Sequence, residues 1–304
     1  MFPIIPANSA ASLTFNDEGI FGYGSGYSNT SNLVSNTGVV SSDVTGVGTA
    51  RSAMAACEFG GDKGIFGFGY APGGYVGMTN LVSNTGVVAD DVTAVGSARG
   101  YLMACSFGED EGIFGFGSGN APLGPSQSMT NLVSNAGVIS SDVTGVTGVT
   151  GRGYGAACEY GGDKGIFGYG DGSIVSMTNP VSNTGVVAAD VAGVGTARQY
   201  LAACGYGGDK GIFGFGYENP PGGPGNVGMT NLVSNTGVVA DDVTAVGTVR
   251  SMPGATQYGG NRGIFSFGTV AATATNLVSN AGVVASDVTQ VGTARNGLGG
   301  CSFA

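Results

Sequence analysis

The sequence predicts an all-β protein, a six-bladed β-propeller of four-stranded antiparallel blades with about 50 residues to each repeat. Three observations carry that prediction. A motif recurs six times along the 304 residues, the polarity within it alternates with a period of two, and the last dozen residues restart it.

The motif is Gly-Ile-Phe-Gly-aromatic-Gly, beginning at Gly19, Gly64, Gly112, Gly165 and Gly211, with the variant Gly-Ile-Phe-Ser-Phe-Gly at Gly263. Successive starts lie 45, 48, 53, 46 and 52 residues apart. Such spacing marks stacked supersecondary units, none of which can bury its apolar face alone.

The second unit shows the elements in order. Ala55-Ala56-Cys57-Glu58-Phe59 reads as a strand of small residues, tight enough for a crowded axis, and Gly60-Gly61-Asp62-Lys63 turns it back. In the following strand, strict alternation places Phe66 and Phe68 on one face and Ile65, Gly67 and Gly69 on the other. The glycines leave hollows that rings of a neighbouring sheet can fill. Leu81-Val82-Ser83 and Val87-Val88-Ala89 flank Asn84-Thr85-Gly86, a second hairpin signal, which makes four strands.

At the chain's end, residues 293–304 supply a spare first strand, suited to ring closure or to pairing between subunits. Ala10-Ala11-Ser12-Leu13-Thr14-Phe15 makes a rival claim to the same place. Residues 1–9 form an apolar arm that lies along its own domain or inserts into a neighbour, and residues 10–304 form the ring.

An Arg, three residues, an Ala-Ala pair, a turn and then Lys-Gly-Ile-Phe-Gly-Phe-Gly, as in Arg51 to Gly69, resembles the kelch repeat. The resemblance covers nearly the whole chain and implies a propeller. It departs from kelch in that an aromatic splits the glycine pair and no Trp occurs. The repeat phrase also resembles uncharacterised environmental and phage-encoded repeat proteins, which raises the expectation of a virion or extracellular fibre component.

Composition removes whole classes of chemistry. The chain has 61 Gly and neither His nor Trp, which excludes His-based triads and His-ligated metals. Ten Lys and Arg against twenty Asp and Glu give a net charge of −10, which repels nucleic acid and anionic lipid. No apolar run is long enough to span a bilayer, and no signal peptide is recognisable at the start. Five cysteines, at 57, 105, 158, 204 and 301, share one repeat position and read as small structural residues.

The charges divide by the repeat. Asp43, Asp91, Asp142, Asp190, Asp242 and Asp287 recur once per unit, each expected to cap a turn. Arg51, Arg99, Arg152, Arg198, Arg250 and Arg295 recur likewise, expected to bond carbonyls or carboxylates between blades. Twelve more charges sit in hairpin turns, which lack the alternating Asp/Asn ladder of a calcium loop. Glu58, Asp90, Glu159, Asp171, Glu218 and Asp241 are left over, with no spacing that selects a catalytic pair. No cofactor, metal or catalytic residue is expected.

The units differ mainly in the segment after the aromatic strand, so length variation gathers on one face. Tyr27, Tyr70, Tyr75, Asn120, Tyr217 and Asn219 lie there and are the expected binding residues. The sequence therefore points to a non-enzymatic structural or interaction protein, a repeated component of a phage virion appendage or extracellular fibre. Its expected partners are other protein subunits. The alternative is a carbohydrate-binding propeller that uses the variable loop face.

Overall fold

The computed structural model describes residues 17–93, 95–119, 126–144, 147–171, 173–219, 225–244, 246–270 and 272–304. The arm at residues 1–9, the rival strand at 10–15 and Asn120 lie outside the described residues. Within them the protein is all-β, built from repeated antiparallel sheets. The first sheet pairs Glu18–Gly24 with Ser28–Val34 on one side and with the C-terminal Gly299–Phe303 on the other. The second joins Ala55–Phe59, Lys63–Ala71 and Gly74–Val82. Third, fourth and fifth sheets repeat this plan from Met103, Ala156 and Ala202. The sixth, from Gly254, adds the short strand Val288–Thr289 as a fourth member.

The sequence predicts four full strands per unit; among the described residues five of the six unit sheets have three, and a separate two-stranded sheet pairs Arg99–Gly100 with Ser118–Gly119. In the first five units the returning segment after the Ser-Asn turn pairs with its neighbour at isolated bridges only, Val34 with Val40 and Ser31 with Val44 in the first. Side chains explain why the ladder stops. Asn32 Nδ2 donates to the Ser41 carbonyl at 3.0 Å and to Asp43 Oδ1 at 2.8 Å, so a side chain takes acceptors from that stretch.

The expected alternation also fails at one residue per sheet. Phe66 packs with Ile20, Tyr23 and Cys301, toward the first sheet, whereas Phe68 packs with Ile65 and Phe114, toward the third. The two rings therefore point to opposite faces. Phe68 has φ of 63°, a left-handed conformation, and the register shifts between Gly67 and Gly69. This bulge turns the side chain over and aims the Phe68 carbonyl at Arg51 Nε, 2.8 Å away.

The hollows that glycine leaves are filled as the sequence suggested. A Cβ on Gly67 would meet Phe114 Cζ at 2.6 Å, and one on Gly22 would meet Phe66 Cζ at 2.7 Å. Each sheet's phenylalanine thus lies on the bare backbone of the sheet before it. The cysteines fill glycine hollows in the opposite sense, on the sheet after their own, with Cys57 Sγ against Gly112 and Cys301 Sγ against Gly64. All five thiols are free and buried.

Neighbouring small-residue strands touch in the order 55–59, 103–107, 156–160, 202–206, 254–258, 299–303 and back to 55–59. Two cycles of backbone hydrogen bonds run around this series. At one end Tyr101 N donates to the Ala53 carbonyl, Tyr154 to Tyr101, Tyr200 to Tyr154, Met252 to Tyr200, Gly297 to Met252 and Ala53 to Gly297, at 2.6 to 3.1 Å. At the other end Gly60, Gly108, Gly161, Gly207, Gly259 and Ala304 each donate to a carbonyl in another sheet's turn, at 2.7 to 3.3 Å.

Candidate functional site

Charge comes first, because it decides what each surface can attract. Six of the ten cations are buried arginines, and five of them share one full set of contacts, while Arg250 keeps the Asn and Asp partners but has no partner for its Nε. Arg99 Nη2 donates to Asn131 Oδ1 at 2.6 Å, its Nε to the Phe116 carbonyl at 2.9 Å, and Asp142 lies 3.7 Å from Nη1. The aspartates do more than cap local turns. Asp142 Oδ2 accepts from Ser97 N and Ser97 Oγ, 45 residues earlier, so the connection into a sheet is tied to the segment that leaves it. Burial pushes the Asp142 carboxyl upward, but hydrogen bonds from Ser97 and Asn131 with the charge of Arg99 outweigh it and hold the pKa low.

The remaining cations are Lys63, Lys164, Lys210 and Arg262, all at the hairpin turns that follow the small-residue strands. Those turns lie at the far end of these strands from Ser52 and its counterparts. The end that carries the variable loops therefore has no Lys or Arg side chain apart from the buried, Asp-paired arginines.

That end is where the tyrosines collect. Tyr27 and Tyr70 stack with centroids 6.3 Å apart, and Tyr70 meets Tyr75 edge to face at 5.1 Å. These three expected residues do come together. Tyr217 lies 6.4 Å from Tyr200. Asn219 is exposed just beyond the strand Lys210–Glu218.

Between these two groups stands a trio that the loop comparison missed. Tyr101 lies 4.2 Å from Tyr154, and Tyr154 lies 4.7 Å from Tyr200. All three sit in the hydrogen-bonded ring at the strand starts, where each residue has φ between 53° and 61°. Their signal was in the repeat itself. Two residues after each repeated Arg the chain places Ala53, Tyr101, Tyr154, Tyr200, Met252 and Gly297, so three rings fall where the other units have Ala, Met or Gly. Burial, then the neighbouring Tyr200, Tyr101 and Tyr75 hydroxyls, push the Tyr154 phenol up, so it stays protonated. Tyr75 Cε1 also stands 2.9 Å from where a Cβ on Gly100 would be, which joins the loop rings to the trio.

Two leftover carboxylates share this end. Asp171 Oδ1 accepts from Gly153 N at 2.6 Å, and Glu218 closes the strand that carries Tyr217. Burial raises the Asp171 pKa.

A second, smaller site lies where the small-residue strands meet. The Ala-Cys pairs with the residues after them, among them Glu58, Ser106 and Glu159, together with Gln257 and Cys301, line a cavity of about 50 Å³. Ser302 Oγ donates to Glu58 Oε1. Burial, then the charges of Glu58 and Asp163, push the Glu159 carboxyl up to about 8. Burial also pushes the thiols up, Cys204 to about 12, so they are poor nucleophiles. Among the described residues, no three His, Cys, Asp or Glu gather as a metal site, and no helix is long and apolar enough to cross a membrane.

No protein-family model matches the chain, and no curated protein matches its sequence.

Proposed function

We propose that the protein is a kelch-like six-bladed β-propeller that serves as a non-enzymatic structural and interaction subunit, assembled from many copies into a virion appendage or an extracellular fibre. The cyclic order of strand contacts and the two cycles of backbone hydrogen bonds support the closed ring. Gly299–Phe303 supplies the innermost strand of the first blade, joining the two ends of the chain.

The observation that carries the assembly reading is a fringe of valines that folding leaves outside. Val39, Val87, Val138, Val186, Val238 and Val283 are each 62 to 66% exposed, while the residue after each one points inward. Beside them Val44, Val92, Val143, Val191, Val243 and Val288 are about half exposed, from 47 to 53%. An apolar side chain repeated outside the core at every unit suits packing against other subunits. The non-catalytic reading rests on the charge inventory and on the size of the axial cavity. At about 50 Å³ it falls well below the roughly 300 Å³ at which ligand pockets begin.

Sedimentation over a wide concentration range tests this. Purified protein is expected to form concentration-dependent assemblies, and replacing the six outer valines from Val39 to Val283 by Ser is expected to abolish them without unfolding the ring. A protein that stays monomeric throughout, or assembles equally well without those valines, refutes the assembly role. Hydrolysis of any substrate in a broad screen refutes the non-catalytic one.

A further inference from the structure

We propose that the tyrosine-lined end of the ring is a binding site for an uncharged oligosaccharide. The distribution of aromatic side chains makes the first argument. Every described Phe is buried. Five tyrosines, at 23, 160, 169, 206 and 258, are buried as well, and the other seven all lie at this one end. Among the described residues, the rings that reach solvent are thus all phenols, gathered in one place. A core or a lid needs only the hydrocarbon face of such rings. A surface that must also hydrogen-bond its occupant needs the hydroxyl.

The arrangement is extended. Tyr27, 42% exposed, begins a series through Tyr70 and Tyr75 to the central trio, and Tyr217 continues it on the far side at 6.4 Å from Tyr200. A pyranose presents C–H bonds on its faces and hydroxyls around its rim. Its faces match the negatively polarised ring faces, and its rim matches phenols, the Asn219 amide and the carboxylates of Asp171 and Glu218.

Charge selects among glycans. With every cation either buried beside an Asp or placed at the opposite end, this surface offers no ion-pair partner for sulfate, phosphate or sialic acid. The net charge of −10 adds repulsion. Neutral sugars carry no such penalty.

A glycan array probed with the full chain, containing neutral, sialylated and sulfated oligosaccharides, tests the proposal. Neutral chains are expected to bind and their acidic counterparts to fail. In titrations with the best neutral chain, Tyr27→Ala, Tyr70→Ala and Tyr217→Ala are each expected to weaken binding roughly 3- to 10-fold. Lys63→Ala, at the opposite end, is expected to leave it unchanged. Because Tyr27 is exposed, its variant keeps the test open even if one of the others unfolds. The proposal is overturned if no neutral glycan binds, if acidic glycans bind as well as neutral ones, or if the Tyr27 and Tyr217 variants bind like the parent. Capture of a sugar-free protein by this face in place of glycans overturns it too. None of these results depends on whether copies assemble through the valines.

Discussion

The guanidinium carbon of Arg51 lies 4.3 Å from the centre of the Tyr23 ring, so a cation of the second sheet rests on an aromatic of the first. The same pairing recurs at all six junctions, between 3.8 and 4.4 Å, ending with Arg295 over Phe267. A charge sealed between two sheets is costly unless its donors are satisfied and a carboxylate is near. Asn80, the Phe68 carbonyl and Asp91 meet those needs for Arg51. The junction between sheets is therefore electrostatic as well as apolar.

Arg99→Met is expected to destabilise the fold by about 3 to 5 kcal/mol, the usual result of stripping one member from a buried charged cluster. It leaves Asn131 Oδ1 and the Phe116 carbonyl without their donor. Arg99→Lys retains the charge without the planar fork and is expected to recover only part of the loss. Urea unfolding of the three proteins measures this. Equal stability for the parent and the Met variant refutes a junction held by that arginine.

Packing between sheets gives a second outcome. A methyl added at Gly67 would stand 2.6 Å from Phe114 Cζ, on a ring that has nowhere to retreat. Gly67→Ala is expected to cost about 1 to 3 kcal/mol through overpacking, and adding Phe114→Leu to return a measurable share of it. Gly73→Ala, where a Cβ would meet nothing within 4 Å, is expected to fall within about 0.5 kcal/mol of the parent. A double-mutant cycle at positions 67 and 114 without coupling contradicts the contact.

Such details bear on what the sequence revealed. Repeat spacing, small inner strands and glycine hollows were legible because each is a local pattern copied six times. The opposed directions of Phe66 and Phe68 were hidden, because a bulge held at φ 63° by a non-glycine residue leaves no mark in an alternating pattern. The short returning strands were hidden for a related reason. Val87-Val88 has strand propensity, yet the Asn80 side chain bonds the Ala89 carbonyl and Asp91, and only a structure shows that competition. At the tyrosine end, loop variation led to Tyr27, Tyr70, Tyr75 and Tyr217. Tyr101, Tyr154 and Tyr200 belong to the repeat itself, where a ring in place of Ala, Met or Gly was the only clue.

The proposed ring closure has its own test. Gly299–Phe303 pairs with Glu18–Gly22, and Phe303 is 1% exposed. Deleting residues 299–304 is expected to expose the Glu18–Gly24 edge and to lower the urea midpoint steeply, since an open edge strand and an unfilled apolar slot appear together. A synthetic peptide of residues 293–304 is expected to restore much of the lost stability, seen as a rise in midpoint with peptide concentration. A truncated chain as stable as the parent rules out closure by this strand.

The Glu159 carboxyl and the aspartates at the sheet junctions act on stability in opposite senses. Glu159 has its pKa raised to about 8 by burial, then by Glu58 and Asp163. The folded state therefore holds this proton more tightly than the unfolded chain, whose reference value is 4.5. Its contribution is complete below about pH 4.5, declines as pH climbs toward 8 and falls no further above that. Asp91 and its five counterparts are held low despite burial, by hydrogen bonds and a neighbouring Arg. Their contribution is present above the unfolded value of 3.8 and is lost as acid protonates them. Stability is thus expected to peak in mildly acidic solution, between those two losses. Glu159→Gln removes the decline on the alkaline side. Relative to the parent it is expected to gain on the order of 1 kcal/mol at about pH 8 and nothing at about pH 4. Urea midpoints of both proteins across that range decide the matter, and a parent curve that stays flat between about pH 5 and 8 shows that the Glu159 carboxyl is not held protonated in the folded protein.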